Sequence, residues 1–423
     1  MTDPCPITYR RRQQARRGVF VLGLALGQLL TSAQSFATNG TEPIGLGQRD
    51  RARGGVDVAV GDSALSQFDN PSSLAKWRKT KLDFGLQLAF PQVHWRGPFG
   101  SADSEIDVIP LFNFGAAFPV NDKLTIGGGF HTKSGLINRY NFRHVLFPLQ
   151  QRRVGADVKN ASLSLNAGYQ LTERLAVGVG GRLEILTAKV SKVLGPMDVE
   201  LSHGEAYGGG FQVGLTYQVT DDVTLGAAYR SPTWFGDVSG GRAQASLLGM
   251  LPVPLGDGRL RDFRLPQKVT AGAAWDVTDR LKLMGEVRWI NYSNSSYKSV
   301  TVGTALPIGV KLPLSYQDQW VFATGAEYKL DDRWTLGVGY NYGTNPISRE
   351  SVNAITSILA KHHATVGLRY EQDNWWIGAG YILGFSESME GKGHSRIPFG
   401  IDYGLSRVEQ IQHSIVLGVG FSF

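Results

Sequence analysis

Residues 162–174 read Ser-Leu-Ser-Leu-Asn-Ala-Gly-Tyr-Gln-Leu-Thr-Glu-Arg, and the register of this stretch decides the fold. Leu163, Leu165, Ala167, Tyr169 and Leu171 fall on one face of an extended chain, and Ser162, Ser164, Asn166, Gly168 and Gln170 fall on the other. A period of two belongs to a β-strand, because successive side chains leave the backbone on opposite sides. The run closes with an aromatic, a spacer, an aliphatic residue and the polar turn Thr172-Glu173-Arg174.

Working outward, the same ending recurs along the chain. Phe118 and Val120 precede Asn121-Asp122-Lys123, Tyr217 and Val219 precede Thr220-Asp221-Asp222, and Trp275 and Val277 precede Thr278-Asp279-Arg280. Tyr328 and Leu330 precede Asp331-Asp332-Arg333, and Tyr370 precedes Glu371-Gln372-Asp373-Asn374. Aromatic rings favour the membrane–water interface, so rings set two residues before short turns describe the periplasmic rim of a membrane β-barrel.

Charge placement separates such a barrel from a soluble sandwich. An ion on the lipid face costs roughly 2 to 4 kcal/mol at mid-depth. Arg182, Glu184, Glu286, Arg288, Glu327, Lys329 and Arg369 all lie in phase with the face of Gly, Ser, Thr and Asn, and none lies on the apolar face. A tilted strand needs about 10 residues to cross hydrocarbon, and the chain offers fourteen such runs, the first near residue 79 and the last near 408. Short turns alternate with longer connections at 91–107, 134–155, 193–202, 231–263, 294–315, 345–360 and 387–407. The pattern predicts an all-β, 14-stranded antiparallel transmembrane barrel over residues 79–423, closed by a strand that ends in Phe421 and Phe423.

The beginning of the chain agrees with this destination. Arg10, Arg11, Arg12, Arg16 and Arg17 precede an apolar run from Gly18 to Leu30, which is too short to span as a helix, and Ser35-Phe36-Ala37 offers a cleavage site. Residues 1–37 are therefore expected to be a signal peptide. Its loss removes five Arg and one Asp and lowers the formal charge from +7 to +3, so the basic balance gives no argument for nucleic acid. The single cysteine, Cys5, leaves with it. Residues 38–78 do not alternate in the barrel manner, yet Val56, Val58, Val60, Leu65, Phe68 and Leu74 are too apolar for a tail left in water. A lumen of this width accepts a plug.

The mature start Ala37-Thr38-Asn39-Gly40, the Gly-rich run to Gly55, the step Asp62-Ser63-Ala64 and the pair Asn70-Pro71 resemble the N-terminal hatch of the FadL/TodX family of outer-membrane transporters for long-chain fatty acids and aromatic hydrocarbons. That family usually follows Asn-Pro with Ala, where this chain has Ser72. The resemblance implies a hatch over 38–78 containing Asp62, Asn70 and Pro71, and diffusion-driven uptake of a hydrophobic small molecule. The route would be a groove in the extracellular loops, a pocket in the lumen and a sideways exit at a kink in the third strand. That strand would cover 123–134, and Gly127, Gly128 and Gly129 in its middle invite a bulge or bend, or a thin wall against the hatch.

The most apolar loop is also the longest. It carries Trp234, Phe235, Leu247, Leu248, Met250 and Leu251, and the spacing of Ala243, Leu247, Leu248 and Leu251 predicts a short amphipathic helix ending before Pro252. Ile355, Ile358 and Leu359 in a later loop offer an opposing wall for an apolar ligand. The lumenal charges Arg182, Glu184, Glu286 and Arg288 either pair with one another and with hatch residues such as Arg49, Asp50, Arg53 and Asp62, or lend one arginine to a ligand carboxylate.

No catalytic constellation emerges. Ser and His occur in the loops without triad spacing, His362 and His363 point to opposite faces, and no metal or cofactor is implied. A general or substrate-selective porin for polar solutes is the alternative, and a folded plug argues against it. The expected partners are the hydrophobic ligand, outer-membrane lipid and lipopolysaccharide, and the barrel-assembly machinery during biogenesis, around a monomer in the outer membrane of a Gram-negative bacterium.

Overall fold

Fourteen antiparallel staves close on themselves, each paired with its neighbours in sequence. They are β1 (Lys81–Gly97), β2 (Ile109–Pro119), β3 (Leu124–His144), β4 (Phe147–Gln170), β5 (Leu175–Leu194), β6 (Met197–Gln218) and β7 (Val223–Arg230). After them come β8 (Lys268–Asp276), β9 (Leu281–Ile290), β10 (Gln319–Lys329), β11 (Trp334–Gly343), β12 (His362–Gln372), β13 (Trp375–Glu390) and β14 (Arg407–Ser422). β14 closes the cylinder against β1, from Ser422 opposite Lys81 to Arg407 opposite Arg96. The computed structural model describes residues 38–145, 147–194, 197–247, 251–303, 309–355, 360–393 and 404–423, so the expected signal peptide, 1–37, lies outside the described residues.

Closure gives each stave a neighbour on both sides, and the outward face takes the apolar phase. Leu163, Leu165, Val177, Val179, Val213, Leu215, Val338 and Leu417 stand exposed on it. At the rim, Phe118, Tyr169, Tyr217, Trp275 and Tyr328 are exposed two residues before their turns. At five corners, those of Asn121, Thr172, Thr220, Thr278 and Asp331, the first turn residue folds the corner through its own side chain. Asn121 Oδ1 accepts from the amides of Lys123 and Leu124, both at 2.9 Å, and Thr278 Oγ1 accepts from Leu281 at 3.0 Å. Asp331 Oδ1 accepts from Arg333 and Trp334, both at 2.8 Å. Side-chain acceptors of this kind stabilise a turn by satisfying amides that no ladder reaches.

Two of the expected long loops, 134–155 and 193–202, are instead strand: β3 and β4 run on to His144 and from Phe147, and β5 and β6 to Leu194 and from Met197. The reason is a change of solvent. Above the bilayer the outward face meets water, so Arg139, Arg143 and Arg153 are exposed while Tyr140, Phe142 and Val154 are buried inside. On β3 the phase switches at a bulge between Thr132 and Ser134, where Lys133 is the extra residue.

The expected amphipathic helix is also overturned. Val238–Leu247 and Leu251–Arg261 form an antiparallel hairpin, and the first of them continues the wall beside β6, with Ala243 opposite Leu201. Period two wins there: Ala243 and Ala245 are buried while Arg242 and Gln244 are exposed.

An inner segment occupies the bore. From Asn39 to Ala75 every residue is buried except Asp62 and Asp69, which are partly buried. It holds a two-stranded hairpin (Thr38–Asn39 with Glu42–Pro43), one helical turn (Gln48–Ala52) and two 3-10 turns (Ala64–Phe68 and Pro71–Lys76). Every stave except β9 turns a glycine toward this segment at a distance that leaves no room for a side chain. A Cβ on Gly178 would lie 2.3 Å from the Pro71 carbonyl carbon, and one on Gly226 would lie 2.2 Å from the Val58 oxygen. The small residues on the lumenal phase are therefore what lets the wall and the inner segment touch through their backbones.

Candidate functional site

The upper lumen is lined with rings. The same change of solvent that lengthens β3 and β4 puts apolar side chains on their inner face, and the loops add more. Trp95, Tyr140, Phe142, Phe235, Phe263, Tyr292, Tyr297 and Tyr316 belong to one buried apolar cluster with Val93, Leu186, Ile290 and Ile347. Phe142 meets Trp95 edge-on at 5.1 Å, and Tyr297 stacks on Tyr316 at 5.3 Å. Such a lining offers an apolar molecule dispersion contacts and ring faces in place of water.

Below the rings the chemistry changes within one residue. Ile290 belongs to the apolar cluster and also lines a small chamber of about 20 Å³, shared with Asn39, Glu42, Phe68, Asp69, His131, Lys133, Arg230, Lys268 and Arg288. Its charges are paired in three groups around the bore. Lys133 Nζ lies 2.6 Å from Glu184, which also pairs with Arg182 and accepts from Thr233 Oγ1 at 2.8 Å. Arg230 pairs with Glu42, and Lys268 Nζ lies 3.5 Å from Glu42 and 3.1 Å from Asp69. Arg288 pairs with Glu286 at 2.5 Å and donates to the Gly55 carbonyl, while the other Glu286 oxygen accepts from the amides of Asp57 and Val58 at 2.8 and 2.9 Å.

The wall beside the chamber is irregular at one place. β2 pairs with β3 only as far as Asn113 opposite His131, and the bulge at Lys133 follows directly on the β4 side. Beyond it, the amide of Gly135 donates to the carbonyl of Thr41, a residue of the inner segment.

The floor is an ion network within the inner segment and between it and the staves. Arg53 reaches Asp57 at 2.6 Å, Asp62 at 2.9 Å and Glu327 at 3.0 Å, and Arg49 reaches Asp62 at 3.4 Å and Glu371 at 2.5 Å. Burial works to raise the Asp62 carboxyl, but the guanidinium groups of Arg53 and Arg49 outweigh it and hold the acid well below the usual carboxylate range. Asn70 caps the last 3-10 turn: its Oδ1 accepts from the Ser72 amide at 3.1 Å, and its Nδ2 donates to Val58 and Leu215 oxygens at 2.7 and 3.1 Å. Ser72 adds a hydroxyl contact with Thr216 at 2.7 Å, so the serine ties the segment to β6. Under this floor the bore opens again into a space of about 940 Å³, lined by Lys76, Arg78, Lys123, Arg174 and Lys282 among others.

A family model described as outer membrane protein transport protein (OMPP1/FadL/TodX) matches residues 24–392. The chain belongs to that family. Members of the OMPP1/FadL/TodX family are outer-membrane transport proteins rather than enzymes. Among curated relatives, outer membrane protein P1 of Haemophilus influenzae is 21% identical over 420 residues, covering 86% of this chain and 85% of its own. The long-chain fatty acid transport protein of Escherichia coli is 21% identical over 419 residues, covering 86% and 87%. Among solved structures, the Pseudomonas putida toluene transporter TodX superposes with a TM-score of 0.75 at 22% identity, covering 92% of this chain and 100% of its own. A Pseudomonas aeruginosa FadL homologue gives 0.76 at 16% identity, covering 91% and 100%. These superpositions show that the fold is shared.

Set on this family fold, the residues singled out from sequence divide. Phe235 is buried in the ring cluster, 6.1 Å from Phe263, and Ile355 packs against the same cluster, its carbonyl accepting from Asn138 Nδ2 at 2.7 Å. Trp234 sits between the buried Thr233 and Phe235 and is exposed on the opposite face of its short strand. Leu248, Met250, Ile358 and Leu359 lie outside the described residues, as do the side chains of Leu247 and Leu251. Gly127, Gly128 and Gly129 keep unbroken pairing on both sides, to Ala117, Ala116 and Gly115 on β2 and to Asn166, Leu165 and Ser164 on β4. A Cβ on Gly127 would lie 2.6 Å from Gln67 Oε1 of the inner segment, so at that position the wall is thin because something packs on it. Glu42, Lys133, Arg230, Lys268 and Tyr292 escaped the sequence reading. Arg230 carried a signal, since it is the one charge of the strand Val223–Arg230.

Proposed function

We propose that this chain carries hydrophobic small molecules, long-chain fatty acids or aromatic and aliphatic hydrocarbons, across the outer membrane by diffusion. The observation that carries the reading is the sequence of environments along the bore: a buried aromatic cluster, then a charged chamber, then a floor of backbone packed against lumenal glycines. Water and ions find a poor path through such a stack, and an apolar molecule finds a good one into its upper half. Residues 38–78 act as the hatch, and 1–37 as the signal removed on export. Capture takes place at the loop side of the cluster, around Phe235 and Ile355. Exit runs sideways at β3, where the β2 pairing stops and Lys133 bulges.

The names of relatives agree with this chemistry, since one is a long-chain fatty acid transport protein and another a toluene transporter. During biogenesis the barrel-assembly machinery receives the strand ending in Phe423, and the finished monomer sits among outer-membrane lipid and lipopolysaccharide. Cells lacking and then regaining the chain test the reading. Restored uptake of radiolabelled oleate or toluene, with little steady ion current from the purified protein in planar bilayers, supports it. A large steady conductance and passage of sugars, with no gain in apolar uptake, would replace it with a porin.

A further inference from the structure

The space of about 940 Å³ under the floor is closed above by Val58, Ala59, Val60, Gly61, Ser72 and Ser73 of the inner segment. Its size is at the upper end of ordinary ligand pockets. Its mouth lies at the short turns, where Asp122, Lys123, Glu173 and Arg174 line it and are exposed. The short turns of an outer-membrane barrel face the periplasm, so this bowl opens to the periplasm and ends blind. Such a shape admits the end of a chain and excludes a chain passing through.

The polar groups of the bowl are sorted by depth. At the closed end Lys76 Nζ donates to the Val60 carbonyl at 2.6 Å and lies 5.1 Å from the centre of the Trp77 ring, and it pairs with no carboxylate among the described residues. An ammonium carries three N–H donors, so most of its capacity is unused here. Ser73 is buried, and its Oγ has no partner, a costly state for a hydroxyl. Gly61 brings the two together, since a Cβ there would lie 2.6 Å from Ser73 Cβ and 3.7 Å from Lys76 Nζ. Arg78 and Lys123 also pair with no acid among the described residues, whereas Lys282 pairs with Asp276 at 3.2 Å and Arg174 with Asp221 at 3.3 Å. The unpaired acids of the lining, Asp122 and Glu173, stand only on the turns at the mouth.

We propose that the bowl captures the C-terminal carboxylate of a periplasmic polypeptide, held by Lys76 Nζ and Ser73 Oγ at the closed end, with the preceding residues between Arg78, Lys123 and the acids of the mouth. Free donors at the blind end suit a single anion, and a charge-assisted bond there satisfies the hydroxyl that the fold leaves without a partner. Both signs of charge at the mouth suit the mixed side chains of a polypeptide, and capture of a chain end by convergent donors is a known mode of peptide recognition. An amidated end keeps the shape and loses the charge that Lys76 answers. The inference goes beyond the uptake of hydrophobic molecules and does not depend on it, because the floor separates this bowl from the ring cluster.

The experiment uses a pool of random tetrapeptides, labelled with fluorescein at the N-terminus and ending either in the free acid or in the amide, and reads fluorescence anisotropy on the purified full-length barrel in micelles. The acid pool is expected to bind about tenfold more tightly than the amide pool. Lys76→Met is expected to abolish that preference, and Ser73→Ala to reduce it about threefold. Arg143→Gln, which removes an exposed charge from the far end of β3, should leave it unchanged. Heat-dependent gel mobility reports that each barrel is folded. Ser73→Ala removes only a hydroxyl without a partner, so it gives the answer if Lys76→Met does not assemble. Equal binding of acid and amide, a preference that survives the substitutions at Lys76 and Ser73, or failure of both pools to bind the wild type overturns the inference and leaves the uptake reading standing. Displacement of the acid pool by citrate at equal carboxylate concentration would show a site for free small acids and also overturns it.

Discussion

The backbone amide of Gly135 on β3 donates to the carbonyl of Thr41 across 3.1 Å, so the inner segment completes a stretch of sheet edge that β2 leaves bare. Gly135 also sits opposite Lys159 on β4, and its N–H points away from that partner, toward Thr41. Gly135→Pro therefore removes the donor without touching the β4 ladder. The lost bond is worth about 1 kcal/mol net. Amide exchange across residues 39–43 should quicken by roughly five- to tenfold, as read by mass spectrometry on the protein in micelles. Unchanged exchange there would show that the hairpin is held by other contacts.

A second prediction concerns the fit of wall to floor. Gly226 faces the Val58 carbonyl so closely that any side chain must push the inner segment aside, because backbone cannot rotate out of the way. Gly226→Leu leaves the outer face and the pairing of Gly226 with Thr216 and Gly272 intact, so the barrel should assemble and show normal heat-dependent mobility. Single-channel recordings should then reveal an ion current that the wild type lacks. The comparison variant is Gly236→Leu, since a Cβ there meets nothing within 4 Å and the current should stay at the wild-type level.

The barrel was legible from sequence because lipid imposes one rule on every stave. Leu163, Leu165 and Tyr169 had no choice of face, and the same constraint on Val213, Leu215 and Tyr217 made the count and order of staves readable. That rule stops at the top of the bilayer. Tyr140, Phe142 and Val154 obey the opposite polarity, so a reading tuned to lipid takes their strands for loop. The hairpin of 238–261 was lost for a related reason, since Ala243 fits a helical spacing as well as an alternating one. The chamber was illegible because Glu42, Lys133, Arg230 and Lys268 come from four distant parts of the chain, and only barrel closure brings them together. Arg182, Glu184, Glu286 and Arg288 were readable as lumenal charges by phase alone; their partners Lys133, Thr233 and the Asp57 and Val58 amides were not.

The periplasmic corners yield a third prediction. Asn121 satisfies two amides with one oxygen, whereas Asp122 beside it makes no side-chain hydrogen bond among the described residues. Asn121→Ala should therefore lower stability by about 1 kcal/mol, and Asp122→Ala should leave it unchanged. Urea unfolding of micelle-refolded protein checks this through the midpoint at constant slope. Equal midpoints for the two variants would mean that the corner is held by its ladder bonds alone, such as Val120 N to the Leu124 oxygen at 2.8 Å.

The last prediction follows from the acid at the centre of the floor. Asp62 accepts from Arg53 Nη2 at 2.9 Å and Nη1 at 3.1 Å, a two-pronged contact that Arg49 supports from 3.4 Å. These cations hold its carboxyl well below the ordinary range. A depressed acid contributes stability above its unfolded pKa of about 3.9, and that contribution disappears only as the pH falls through the lower folded value. Asp62 should consequently contribute as much at pH 5 as at pH 7.5, and Asp57, whose carboxyl burial pushes up to about 8, takes up a proton in that window, so amide protection across residues 48–57 should be at least as strong at pH 5 as at pH 7.5. Asp62→Asn removes the anion at every pH and leaves Arg49 and Arg53 to share Glu371, Asp57 and Glu327. Protection in that variant should drop equally at pH 5 and pH 7.5. A wild-type loss of protection between pH 7.5 and pH 5 would instead mean that a group whose pKa ordinarily lies in that window and is lowered on seating, such as a histidine held neutral by burial, governs the seating of the segment.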